Sequence, residues 1–453
     1  MESLEDTFNR LSIGIIEKNE CSPEEALAQL STFRVLLHCG EDIRSSVPLQ
    51  AALITAVNSG NRAFLGGVFI KMPEGVNNLL PWSNDKSLNV ILTDLGARVL
   101  QEDVEDLFTL TFGLPGDIDN DKAEVIATNW QGGVFVNGEA AIDQSGSLPM
   151  GGVYAGGLAI GLAFLKISKL HSQALDKSVG LSLWRPDLKW LDSHTEGPKS
   201  VILPASLWLL GLGHLGQAYI WNIGLLPYSD RNSVSLFLHD FDKAVKANTS
   251  AGLLCVIADA GKYKTRICSQ WLEDRGIQTR LIERKFDKNT IRNEGEPVIA
   301  LCGFDNAYSR TLLENAKFDF VVEAGLGDNV DTFDKIMLHT FPSKLHTALE
   351  MWKDMPMNLL PNEKVLKALT KDSEKECGIL ELTIAGKAVS ASFVGACAGA
   401  LVISEVIKGF NQGKSCAKLV SQLRVTDHTE VAQEGNQYLT ELGCSLSQAS
   451  LSK

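Results

Sequence analysis

The residues with the clearest chemical potential lie in the second half of the chain. Gly211, Gly213 and Gly216 in the run GLGHLG end an apolar strand-like stretch (206–213, SLWLLGLG) and lead into a helix-like segment. Glycines at such a junction let the backbone approach a phosphate, and the helix N-terminus adds unpaired N–H groups and a favourable dipole. By themselves they predict only a tight strand–helix junction or a phosphate turn, most often of an NAD or FAD site. Asp240 and Asp242 stand at the end of the next strand-like run, where a carboxylate can accept hydrogen bonds from ribose hydroxyls. Downstream come Asn248, then Gly261-Lys262-Tyr263-Lys264, then Asp305-Asn306 with Arg310 closing CGFDNAYSR. A lysine near phosphates and a carboxylate able to hold Mg²⁺ suit nucleotidyl transfer, in which charge on phosphorus must be neutralised. Hydride transfer needs neither, although Lys262 and Lys264 taken singly also fit the solvated first turn of a helix.

These groups must be positioned by a chain of 453 residues, which at roughly 150 residues per domain implies two or three domains. Its 45% hydrophobic and 21% charged residues describe a soluble globular protein. The net charge of -13 is a poor footprint for binding nucleic acid or an anionic membrane. Nine cysteines without a CxxC pair support neither a zinc ribbon nor a disulfide framework, and a reducing cytoplasm fits best. The opening MESLEDTFNR shows no export signal. Two uncharged stretches, 144–165 and 388–404, are long enough to raise the question of a membrane span. Their glycines and alanines read better as helices packed closely inside a soluble protein.

Laid over each other at Lys166 and Lys408, those two stretches align Gly157 with Gly399, which signals an internal repeat. The opening strands also correspond: FRVLLHCG (33–40) and SLWLLGLG (206–213) both end in glycine before a helix-like segment. In each half strand-like and helix-like stretches alternate, which predicts α/β architecture: two tandem Rossmann-like, doubly wound parallel sheets. The polar, proline-containing segment 185–204 reads as a connector, and a mobile loop is expected around KDSEKE, just before Cys377.

The order of parts in residues 205–410 resembles the adenylation domain of the ubiquitin-activating-enzyme superfamily, which includes ThiF-like adenylyltransferases for sulfur carriers. The segments that carry the resemblance are GLGHLG, HDFDKAVKAN, GKYK, GFDNAYSR, VVEAGLGD and SASFVGACAGALVISEVIK. By that resemblance Asp240 binds ribose, Lys264 contacts the ATP phosphates, Asp305 carries Mg²⁺ and Asn248 lines the nucleotide site. One departure stands out: where the family has an Arg-Gln pair after the asparagine, this chain has Ala251 and Gly252. A phosphate contact is lost there unless Lys243, Lys246 or Arg266 replaces it. The first half looks like a decayed copy, keeping Gly40 but not the glycine spacing, and running into Ile70-Lys71 where an acid belongs. Ubiquitin-activating enzymes likewise pair an inactive with an active adenylation domain in a pseudo-dimer. The resemblance therefore implies a degenerate domain at 1–190, an active one at 200–453 and a cysteine-bearing insertion around 330–385. Phe8-Asn9-Arg10 is similar to the family's opening helix, whose arginine reaches across to the partner half's ATP.

Members that pass on the activated protein hold it as a thioester, and the resemblance places that nucleophile at Cys377. Cys397 in the apolar helix reads as a small core residue and Cys302 as a weaker rival. Asp372, Glu374 and Glu376 count against Cys377, because nearby negative charge raises a thiol's pKa. The implied function is ATP- and Mg²⁺-dependent adenylation of the C-terminal glycine of a ubiquitin-like protein, followed by transfer through Cys377 to a conjugating-enzyme-like partner. Stand-alone bacterial forms of this size occur beside conjugation-like partners in antiphage systems. Three alternatives stay open: a sulfur-carrier adenylyltransferase, an NAD-binding oxidoreductase and a non-catalytic partner.

Overall fold

The structure, a computed structural model, describes residues 9–82, 86–100, 107–114, 123–136, 142–355, 362–370, 388–434 and 446–448. Two sheets lie in tandem. The first comprises β1 (Arg34–Cys39), β2 (Gly67–Lys71), β3 (Arg98–Val99), β4 (Thr109–Phe112), β5 (Ala123–Ala127), β6 (Gln131–Val136) and β7 (Val179–Ser182), in the order β3-β2-β1-β4-β5-β6-β7. A short β8 (Ile202–Pro204) stands outside both sheets. The second contains β9 (Ser206–Leu210), β10 (Ser235–His239), β11 (Gln278–Ile282), β12 (Ile299–Cys302), β13 (Phe320–Leu326), β14 (Lys335–Phe341), β15 (Ser415–Gln422) and β16 (Glu430–Glu434), in the order β11-β10-β9-β12-β13-β14-β15-β16.

The two orders match strand for strand, apart from β16 at the end. In each sheet the first five strands of the order are parallel, as expected of a doubly wound fold. The remaining strands run antiparallel, which departs from the expected all-parallel sheet. β5 and β6 are joined by a turn of only a few residues, too short for the crossover helix that a parallel neighbour requires. The strands nearest the switch points are fully buried runs such as VLLHC and LWLL, as befits strands covered on both faces.

The two apolar stretches form the helices Met150–Ile167 and Ser392–Phe410, long and apolar enough to span a membrane but 89% and 100% buried inside the molecule. Each packs on the helix that follows its half's opening strand, Val47–Ala63 or His214–Leu225. The glycines make this possible. A Cβ on Gly156 would lie 2.2 Å from the Ala52 carbonyl, and one on Gly399 would lie 2.7 Å from that of Ala218. The pairs also meet each other: a Cβ on Gly157 would fall 2.7 Å from the Phe393 carbonyl. Across this seam Trp221 Nε1 donates to Thr55 Oγ1 (3.0 Å) and Ser392 Oγ to the Ser59 carbonyl (3.1 Å). The two halves thus pair within one chain about a common helical centre.

The segment expected to be a connector is partly built into the first half. Trp190 is buried over Gly133 and Gly180, where a Cβ would meet its ring at 2.5 Å, and its carbonyl accepts from Gln131 Nε2. Within the expected insertion, β14 and the helices Ala348–Trp352 and Glu363–Thr370 are described. Cys377 and the acidic residues before it lie outside the described residues.

Candidate functional site

The order of the second sheet reverses between β9 and β12, and the C-terminal ends of such strands are where α/β sheets open a ligand crevice. The glycine run leaves β9 at that point, and each glycine has a separate task. Gly211 adopts φ +80, a conformation that side chains disfavour. A Cβ on Gly216 would sit 2.0 Å from the Gly211 carbonyl, so the third glycine brings the helix start onto the turn. Gly213 faces open space, with nothing within 4 Å of its Cβ position, which leaves the backbone accessible to a ligand. Gly303, at the end of β12, is a fourth: a Cβ there would come within 2.9 Å of the Gly216 amide.

Asp240, just beyond β10, ties this turn to the next loop. Its Oδ2 accepts from the Leu212 amide (2.6 Å) and its Oδ1 from the Asp242 amide (2.8 Å). Burial pushes its carboxyl pKa up, and Lys264 and the two amides oppose that rise only in part. Lys264 opens the helix Lys264–Glu273 and places Nζ 2.9 Å from Asp242 Oδ2. Burial works against its charge, yet Asp240, Asp242 and Asp305 outweigh it and raise the ammonium pKa. Lys264 therefore stands as a cation among three carboxylates, two following β10 and the exposed Asp305 following β12. Arg310 holds the Asp305 loop by donating twice to the Phe304 carbonyl (3.0 and 2.5 Å), and is itself backed by buried Glu323 at 3.5 Å.

The loop after β10 carries the other expected residues. Asn248 lies in it with Oδ1 engaged by the Val245 amide (2.9 Å). The opening helix Arg10–Asn19 packs on this half: the Arg10 amide donates to Ser250 Oγ (3.2 Å) and Glu17 accepts from the Val330 amide (3.0 Å). The Arg10 backbone is thus held against the Lys246–Ser250 turn that carries Asn248. Of the three cations considered as substitutes at Ala251, Arg266 is committed to Glu283 (2.9 and 3.1 Å). Lys243 is exposed and lies 5.2 Å from the centre of the Tyr263 ring. No side chain fits at Gly252, where a Cβ would fall 2.4 Å from Gln217 Oε1. That oxygen accepts from the Leu254 and Cys255 amides (3.0 and 3.1 Å).

Arg62, at the end of the first-half helix Val47–Ala63, is the residue that sequence reasoning missed. Its guanidinium donates to the carbonyls of Gly252 (2.8 Å), Leu253 (3.0 Å) and Cys255 (3.3 Å). The signal available was an arginine closing an otherwise uncharged helix.

The corresponding turn of the first half is differently built. Beyond β1 the chain forms a short helical turn, Glu41–Arg44. A Cβ on Gly40 would strike the Leu114 backbone at 2.5 Å, and Asp42 Oδ2 accepts from the Leu114 amide (3.1 Å). Arg44 donates to the carbonyls of Glu74 (2.9 Å) and Gly75 (3.4 Å). Gly40 follows β1 as Gly211 follows β9, and both are closely approached by the loop after the next strand of the sheet; the second and third glycines of the run have no counterpart in Glu41–Arg44.

Both rival cysteines are fully buried, and burial pushes the Cys302 thiol up to about 12 and raises that of Cys397. Neither is poised to attack.

Two family models match this chain, one in each half. Residues 34–183 match the BilD N-terminal domain and residues 203–413 the BilD C-terminal domain. A bacterial E1-like protein BilD from Collimonas sp. (strain OK412) is 34% identical over 401 residues, spanning 87% of this chain and 86% of that protein. Among solved structures, E. coli MccB is 16% identical with a TM-score of 0.33, over 53% of this chain and 65% of its own. PaaA is 15% identical with a TM-score of 0.34, over 51% of this chain and 72% of its own.

Proposed function

Because this chain belongs to the BilD family of bacterial E1-like proteins, we propose that it adenylates the C-terminal carboxylate of a ubiquitin-like protein with ATP. The observation that carries the reading is Lys264 set among Asp240, Asp242 and Asp305 beside a glycine turn whose middle glycine is open. Asp240 is at hand for the ribose, and the open face of Gly213 with the Lys264 ammonium fits a triphosphate. Asp305 would hold Mg²⁺, which takes one or two carboxylates together with phosphate oxygens and neutralises their charge. The substrate carboxylate attacks the α-phosphorus and pyrophosphate leaves. Lys264, with Arg10 from the opening helix, stabilises the developing charge, and the Gly211–Gly216 turn orients the nucleotide. No general base is needed, since a carboxylate is ionised at neutral pH. Asn248 shapes the nucleotide loop.

The Cys377 thiolate then attacks the carbonyl of the acyl-adenylate, the acyl–phosphate bond breaks and AMP leaves, and the protein held as a thioester passes on to a conjugating-enzyme-like partner. Burial of both Cys302 and Cys397 favours that assignment. The described cysteines are all free, in keeping with a reducing cytoplasm. A bacterial conjugation pathway such as antiphage defence is the proposed setting. The test is incubation with ATP, Mg²⁺ and candidate ubiquitin-like proteins, followed by gels with and without reductant. A reductant-sensitive adduct that disappears in Cys377→Ala is the expected result. An adduct that persists in that variant would place the nucleophile elsewhere, and pyrophosphate release without any adduct would favour a sulfur-carrier adenylyltransferase.

A further inference from the structure

The 252–255 loop is clamped from both sides. Its carbonyls at Gly252, Leu253 and Cys255 accept from Arg62, and Leu253 accepts also from Asn58 Nδ2 at 3.0 Å. Its amides at Leu254 and Cys255 donate to Gln217, which stands in the helix that opens at the glycine turn and donates to the Leu212 carbonyl (3.3 Å). Arg62 is in turn fixed by Asn58, whose carbonyl and Oδ1 accept at 2.8 and 2.7 Å. Arginine suits this post, since its rigid fork of five donors can satisfy several carbonyls at once. Burial lowers its pKa to about 10, which leaves it charged at neutral pH.

We propose that Arg62 is a positioning residue for the nucleotide site of the opposite half: by holding the 252–255 carbonyls it sets the loop against the glycine turn. This rests on the adenylation reading and extends it. This chain brings an arginine from the first half and a glutamine from the turn helix, both acting on the backbone of the loop. The first half then contributes more than burial of a shared face, because the shape of the nucleotide loop depends on one of its side chains.

The test uses the full chain and the fluorescent analogue mant-ATP with Mg²⁺. Arg62→Ala is expected to bind it about tenfold more weakly or worse, the scale of losing a charged donor from several carbonyls. Arg62→Lys, which keeps the charge but not the fork, should recover part of that loss. Thr55→Val removes a hydrogen bond across the same interface away from the loop, and should leave binding unchanged. Without nucleotide, the Leu254 and Cys255 amides should exchange with deuterium faster in Arg62→Ala than in wild type. If wild type binds mant-ATP and Arg62→Ala binds it equally well, this inference alone fails. If wild type binds none, the adenylation reading fails and takes the inference with it. Equal losses in Arg62→Ala and Thr55→Val would also overturn it, by showing a general effect of the interface.

Discussion

At the scale of single residues, the site groups that were legible in the sequence share one property: their neighbours in the chain determine their placement. Asp240 and Asp305 each follow a buried strand, and Lys264 opens a helix, so the end of an element carries each to the crevice. Arg62 was illegible for the opposite reason, since the loop it holds lies 190 to 193 residues away in sequence. His239 was likewise silent in the sequence and now supports a prediction. It is 1% exposed, and its ring lies 5.6 Å from that of Phe286. Burial, with nearby Arg284 adding to it, lowers its pKa to about 4. A histidine kept neutral in the fold loses stability as pH falls from its unfolded value of about 6.5 towards the folded value, up to about 3 kcal/mol. Urea unfolding at pH 7.5 and pH 5 should show this loss, and His239→Phe should reduce it. An unchanged pH dependence in that variant would show that the ring is already protonated or solvated in the fold.

At the scale of elements, the repeat was legible because close helix packing demands small residues at fixed places, and glycines at 157 and 399 record that demand. The antiparallel strands were not, since a buried strand has the same composition whichever way it runs. Nor was the docking of Trp190, because the prolines around it describe only the local chain. The helix pairs make a sharp prediction. A Cβ on Gly152 would fall 2.0 Å from the Pro48 carbonyl and one on Gly156 2.2 Å from that of Ala52, so neither position admits a side chain without separating the helices. Gly156→Val should destabilise the protein by about 3 kcal/mol or more, at or beyond the usual range for overpacking. A fall in the urea midpoint is the expected sign, and an unaltered midpoint would mean that the helices are free to part.

For the whole molecule, the matching strand orders show one topology present in both halves, with β16 added to the second. The glycine run and the charged groups beside it lie in the second half, and the first has the short helical turn Glu41–Arg44 after its opening strand. One cluster of buried side chains runs without a break from Leu11 in the opening helix to Leu423 after β15, through both sheets and the four central helices. A core shared in this way should melt as one. Circular dichroism and tryptophan fluorescence should report coincident unfolding transitions, whereas two separated transitions would show that the halves are independent folding units.

Joining both halves in a single polypeptide has a further effect on how the protein works when scarce. A two-subunit arrangement falls apart on dilution, at a point set by its dissociation constant, whereas a covalent link holds the companion module at a high local concentration regardless of how few molecules a cell contains. Arg62 therefore always has its loop within reach.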